Sequence, residues 1–321
     1  MRRLQLRFCA LIVACLALFP PYAVAWNNGG HMVSGSLAYQ ILRGESPTTI
    51  AVIRAILDKH AWYPIQWKKD LDKVPESQRD EILFMLAARW ADEIRNGPDK
   101  SQDRGRWHYI NYRFKPDSQP ANVQPQPPHN VNILTALAEN ERIAKTDGDP
   151  TRRAIALTWL FHLVGDVHQP LHTAQLFTTD YPNGDRGGNL VCVRVKESTQ
   201  AIDLHRFWDG LISTSSNLTR LKNEATTLRN RPEYSKGQLT ELAATDYQSW
   251  AKESFQIAAA IAYQNGALTG TPKGHRRYCS EVVDANVIPN GYTRTAGRIA
   301  HRRITLAGYR LAALFKSVTA N

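Results

Sequence analysis

The stretch His162-Leu-Val-Gly-Asp166-Val-His168-Gln-Pro-Leu-His172, taken with His205-Arg-Phe-Trp-Asp209 downstream, decides how this chain is read. His162 and Asp166, and again His205 and Asp209, stand four residues apart. On a helix that spacing puts two side chains on one face, close enough to bind one metal ion. Both pairs lie in apolar, helix-compatible runs, 154–167 and 201–212, so their ligand atoms are expected to face inward. One such pair alone reads more readily as a hydrogen-bonded core histidine. Two pairs together with His172 favour a polynuclear zinc centre.

His168 and His172 form a further H-x-x-x-H spacing, but Pro170 lies between them. A proline disfavours helical geometry at the residue before it, so the helix is expected to end near 167–169 and the two imidazoles to leave a common face. His172, on the turn, is then the ligand, and His168 stands behind it.

Outward from this stretch the pattern is mainly helical. Candidate helices cover 31–43, 48–59, 77–96, 130–146, 150–168, 200–212, 217–229, 239–266 and 293–317. Turn residues separate them at Gly97-Pro98, 116–128, 147–150 and 183–188. Only 189–195, alternating around Val191, Val193 and Val195, reads as a strand, in a small hairpin. The Pro/Gln-rich segment 117–128 is a surface loop rather than a linker, because the candidate ligands lie on both sides of it. The fold class is therefore mainly α, one helical domain with a small hairpin and no internal repeat.

The first residues set the compartment. Met1-Arg-Arg and Arg7 form a charged opening, 8–19 an apolar run, and Ala23-Val24-Ala25 a small-residue cleavage site. Residues 1–25 thus read as a signal peptide, and the mature chain, secreted or periplasmic, begins at Trp26. Removing them leaves 296 of 321 residues and lowers the net charge from +11 to +8, since Arg2, Arg3 and Arg7 go with them. That balance favours polyanionic partners. Two cysteines remain, Cys192 and Cys279, enough for one disulfide in an oxidising compartment and too few for a Cys-rich zinc site. The row Arg294, Arg298, Arg302 on the last helix reads as a solvated face.

Further motifs join the opening stretch: Trp26 and His31, Trp90-Ala-Asp92-Glu-Ile-Arg95, Trp107-His108-Tyr-Ile, and Gly187-Gly-Asn189. In this order, from Trp26 to about Asp209, the chain resembles the zinc-dependent nuclease I family, the S1 and P1 nucleases and 3′-nucleotidases, whose superfamily includes zinc-dependent phospholipase C. Residues 26–321 would form its nuclease domain. The resemblance implies three zinc ions. Asp92, His108, His162 and Asp166 would hold the first. Asp166 would bridge to a second, held by His31 and by the α-amine and carbonyl of Trp26. His172, His205 and Asp209 would hold the third.

The implied activity is hydrolysis of phosphodiesters in single-stranded DNA and RNA to products with 5′-phosphates, and of 3′-nucleotides. Asp92 and Arg95 would serve catalysis, Arg95 by neutralising charge on the phosphate. Tyr109, Asn111 and Asn189 match positions that contact substrate, although the family carries aspartate where this chain has Asn111. The protein is expected to act as a monomer without stable membrane association. Phospholipase C is the alternative enzyme, disfavoured because that family ends the last pair with glutamate where Asp209 stands. A non-enzymatic zinc-storage protein fits less well, since storage needs no fixed N-terminal amine.

Overall fold

In the computed structural model, which describes residues 26–97 and 100–320, the chain runs through α1 (Asn28–Glu45), α2 (Pro47–Leu57), α3 (Lys68–Leu71), α4 (Glu76–Glu93), α5 (Ile133–Thr146), α6 (Pro150–Val167), α7 (Leu204–Asp209), α8 (Leu218–Arg229), α9 (Tyr247–Ile257) and α10 (Tyr292–Thr319). The expected signal peptide lies outside the described residues. No helix among them is long and apolar enough to cross a membrane.

α6 is the axis. Pro150 presets its first turn, and the Asp149 carboxylate accepts from the Thr151 and Arg152 amides, 2.8 and 2.9 Å away. From Ala156 to Val167 it is buried on every side, which its apolar circumference requires. It ends at Val167, within the limits that Pro170 sets. α1 packs against α4 and α10, and α6 against α4 and α5, so α1, α4, α6 and α10 form the main core with Trp26 inside it. The Glu81 carboxylate, buried between α1 and α4, is satisfied by Ser36 (2.6 Å) and Gln40 (2.9 Å).

A second, smaller core contains Leu171, Val191, Leu204, Trp208, Tyr263 and Tyr292. Its framework is a sheet centred on β3. In chain order the strands are β1 (Tyr112–Phe114), β2 (Ala174–Leu176), β3 (Val191–Arg194), β4 (Ile202–Asp203), β5 (Thr271–Pro272) and β6 (Asn286–Val287). β4 and β5 pair antiparallel to β3 and β6 pairs parallel to it, while β1 and β2 form a separate parallel pair with Tyr112 opposite Ala174. β3 and its place in a hairpin match the sequence reading, but the partner strand β4 takes 202–203 from the stretch expected as a helix over 200–212, leaving α7 only 204–209. The other strands were not expected, because two or three residues are too few to display alternation.

A second difference lies at 239–266, expected as one helix. The Asp246 carboxylate starts α9 afresh by accepting from the Ser249 amide (2.8 Å), a π-helical turn follows at Ala258–Ala262, and the positive φ of Gln264 and Asn265 ends the run. The disulfide is formed: Cys192 on β3 is bonded to Cys279.

Candidate metal centre

The residues that the opening stretch singles out converge where the two cores meet. His162 donates from Nδ1 to the Ala88 carbonyl (2.9 Å), which fixes its tautomer and leaves the Nε2 lone pair facing Asp166 Oδ2 (3.2 Å) and Asp92 Oδ1 (3.8 Å). His108 brings Nδ1 to 3.0 Å from that same Oδ2 and 3.0 Å from His162 Nε2. Asp166 Oδ1 turns the other way, to His31 Nε2 at 3.2 Å. The two oxygens of one carboxylate thus serve two different histidine groups. All five side chains are buried, and the His31 nitrogens, both Asp92 oxygens and Asp166 Oδ1 have no hydrogen-bond partner. Buried polar groups crowded together in this way cost stability unless a cation lies among them.

The third group repeats the logic. His172 Nδ1 donates to the His108 carbonyl and His205 Nδ1 to the Gly187 carbonyl, each at 2.6 Å. Both Nε2 atoms therefore carry lone pairs, yet they stand 3.1 Å apart, with Asp209 Oδ2 3.6 Å from His205 Nε2. Nitrogens bound to one tetrahedral zinc at about 2.0–2.1 Å would lie roughly 3.3 Å apart. Three groups could accordingly each hold a metal ion: His31, His162 and Asp166; Asp92, His108 and His162; His172, His205 and Asp209. Burial pulls the His172 imidazole down to about 3 and that of His108 to about 4, so both stay neutral, the form a metal needs. Burial pushes the Asp209 carboxyl well above its ordinary value, and the amide of Gln169 opposes that rise.

A family model for the S1/P1 nucleases matches residues 26–320. The chain belongs to the S1/P1 nuclease family. It is also similar to two Arabidopsis thaliana proteins along nearly its whole length. Endonuclease 3 is 27% identical over 326 aligned positions, covering 92% of this chain and 95% of the relative. Endonuclease 4 is 24% identical over 319, covering 92% and 90%. Endonuclease 5 of the same plant is 31% identical over 171 positions, about half of each chain. The match continues past Asp209, where the sequence alone offered no motif. The chain is thus a hydrolase of phosphodiester bonds in nucleic acid, from a zinc-dependent family, and the phospholipase and storage readings are set aside.

In this S1/P1 nuclease three of the metal-ligand candidates, Asp92, His205 and Asp209, line a cleft of about 1840 Å³. Arg95 lines it too, its guanidinium 3.5 Å from Asp92 Oδ1, and so does Asn189. Tyr109 and Asn111 do not line it. They are half-buried on the segment between His108 and β1. Trp26 is buried beside the centre, its indole donating to the Gly165 carbonyl at 2.9 Å. Gly165 itself must be glycine, because a Cβ there would lie 2.8 Å from His31 Nδ1. His168 stands apart from the three groups: Nδ1 donates to the Val164 carbonyl (2.7 Å) and Nε2 accepts from Arg310 (2.8 Å).

Two supporting residues escaped the sequence reading. Gln169 donates to Asp209 Oδ1 (2.7 Å) and accepts from the Leu171 amide (2.5 Å), so it aims the carboxylate. Asp185 accepts from the amides of Leu176, Gly187 and Gly188 and from the Tyr263 hydroxyl, at 2.7–3.1 Å. It shapes the loop that presents the Gly187 carbonyl to His205. Gly187 has a φ of +61°, and a Cβ there would lie 2.5 Å from the Leu171 carbonyl oxygen. Gln169 lies inside the quoted stretch, and its place between two ligand candidates was the available signal.

Proposed function

We propose that this nuclease is an exported, three-zinc enzyme that cuts single-stranded DNA and RNA to products with 5′-phosphates and removes the phosphate of 3′-nucleotides. The observation that carries the reading is the divided Asp166 carboxylate, one oxygen on His31 and the other on His108 and His162, beside a separate trio at the cleft wall. Asp92, His108, His162 and Asp166 would hold one zinc, His31, Asp166 and the Trp26 amine and carbonyl a second, and His172, His205 and Asp209 the third. Zinc bound there would supply an activated water and neutralise charge on the scissile phosphate and its departing 3′-oxygen.

The chain's own contribution is orientation and charge. Arg95, in the turn after α4, lines the cleft and would bind a phosphate oxygen as negative charge develops, the role of a preorganised cation. Asp92 holds that guanidinium while sharing the first metal seat. The indole of Trp26, bonded to Gly165, anchors the residue whose amine would be freed by cleavage after Ala25. Single-strand preference follows from stacking: a base held by the protein must be unpaired, and freeing one from a duplex costs a few kcal/mol. Asn189 supports substrate contact from the cleft wall, whereas Tyr109 and Asn111 are assigned to the base on the resemblance alone.

The test is to incubate mature protein separately with single-stranded DNA, duplex DNA of the same composition, RNA, 3′-AMP, 5′-AMP and phosphatidylcholine, with and without chelator. Single strands and 3′-AMP should be consumed, duplex more slowly, and 5′-AMP and the lipid not at all. Chelator should abolish all turnover. Cleavage of duplex at the single-strand rate, or attack on 5′-AMP, would overturn the reading.

A further inference from the structure

The loop between β5 and the disulfide, Thr271-Pro-Lys-Gly-His-Arg-Arg-Tyr-Cys279, concentrates cations and one aromatic ring on the cleft and has no part in holding metal. Lys273, Arg277 and Tyr278 all line the cleft that Asp92, His205 and Asp209 also line. Tyr278 is 49% exposed, high for a ring of its size. The Arg277 guanidinium sits 5.1 Å from its centroid, which orients the ring. Of the other cleft cations, Arg89 is bonded to Glu93 (3.0 Å) and lies near Asp70, and Arg95 faces Asp92. Lys273 and Arg277 form no ion pair among the described residues, although Lys273 is buried, at 9% exposure.

The loop is also held still. β5 pairs with β3, the Lys273 amide donates to the Leu190 carbonyl (2.9 Å), the Tyr278 amide donates to Glu281 (3.2 Å), and Cys279 is bonded to Cys192. Its base is therefore fixed to β3, another of whose neighbours, β4, leads directly into α7 with His205 and Asp209. A binding surface that is ordered in advance loses little entropy on binding.

We propose that this loop is a strand-binding platform: Tyr278 stacks an unpaired base, and Lys273 and Arg277 take phosphates next to the one being cut. Rings beside cations that have no carboxylate partner are the chemistry that holds single strands without reading sequence. The platform rests on the nuclease reading above and adds to it a preference for substrates longer than a mononucleotide.

The experiment compares zinc-loaded parent, Tyr278→Ala, Tyr278→Phe and a Lys273→Gln/Arg277→Gln double variant on a 3′-mononucleotide, a dinucleotide and a dodecamer. kcat/KM of the parent should rise with length. Tyr278→Ala should lose about tenfold on the dodecamer through KM, with the loss confined to substrates long enough to reach the ring, and Tyr278→Phe should restore it. Anisotropy with a hydrolysis-resistant phosphorodithioate dodecamer should show the same weakening without turnover. In the double variant its salt dependence should be shallower by about 0.7 in log–log slope per cation removed. Unchanged dodecamer kinetics in these variants, or equal losses on mononucleotide and dodecamer, would overturn the platform while leaving the nuclease reading intact. A parent inert on every nucleic acid would sink both.

Discussion

Gln169 illustrates how a residue that donates no metal ligand can decide whether a seat is usable. Its amide nitrogen bonds Asp209 and its amide oxygen bonds the Leu171 backbone, so one side chain fixes both the carboxylate and the turn that carries His172. Gln169→Leu would leave a buried carboxylate oxygen and a buried amide unpaired, at about 1–3 kcal/mol each. The expected outcome is loss of the third metal, with activity down about 10–100-fold, as for other residues that orient metal ligands. Metal analysis of the purified variant, with the parent as control, checks it; an unchanged metal content would show that Asp209 holds its position without Gln169. His162, Asp166, His172, His205 and Asp209 were legible because i, i+4 spacing and Pro170 are properties of the sequence, whereas Trp26, His31, Asp92 and His108 came only with the family resemblance. Asp185 was not, since it bonds the loop that orients His205 and shares no spacing with that ligand, and Gln169 was marked only by its place between two ligand candidates.

At the scale of elements, the longer helices declared themselves through apolar runs bounded by turn residues, as at 147–150 before α6. The sheet around β3 did not, because its partners arrive from 202–203, 271–272 and 286–287 and each is two residues long. The loop between β2 and β3 depends on Asp185 in the same non-local way. Its carboxylate, pushed up to about 6 by burial against the pull of its donors, accepts from Leu176, Gly187, Gly188 and Tyr263. Asp185→Asn replaces one acceptor oxygen with an NH2 group that faces N–H donors, so at least one buried bond gives way to repulsion between two donors. Stability should fall by about 2–4 kcal/mol, and zinc at the third seat should weaken because the Gly187 carbonyl no longer orients His205. Urea denaturation and zinc titration measure the two effects. A stable variant with parental zinc affinity would mean that the loop is held by its glycines alone.

For the whole molecule, the metal centre is where two cores meet: Asp166 and His162 come from the larger, while His205 and Asp209 on α7 are packed into the smaller. Without metal that seam contains buried carboxylates and lone pairs facing one another, so metal binding should contribute directly to folding. At a thousandfold excess over Kd each zinc adds about 4 kcal/mol, three together about 12, and at about 1.6 °C per kcal/mol for a chain of about 300 residues chelation should lower Tm by about 20 °C. Acid should act in the same direction. Burial holds His60 and His172 down to about 3 and His108 to about 4, against an ordinary value of 6.5. The folded state then binds fewer protons than the unfolded one. The stability these neutral imidazoles contribute is complete above 6.5 and is lost as pH falls from there towards their folded values, by about 1.4 kcal/mol per pH unit for each. His60 is stacked on Trp67, away from the metal seats, so its share should persist after chelation, whereas His108 and His172 also lose zinc to protons. Calorimetry from neutral pH down to about pH 4, with and without chelator, should therefore show the two curves converging as acid strips the metal. A Tm indifferent to chelator at neutral pH would mean that the seam is held by packing and not by metal.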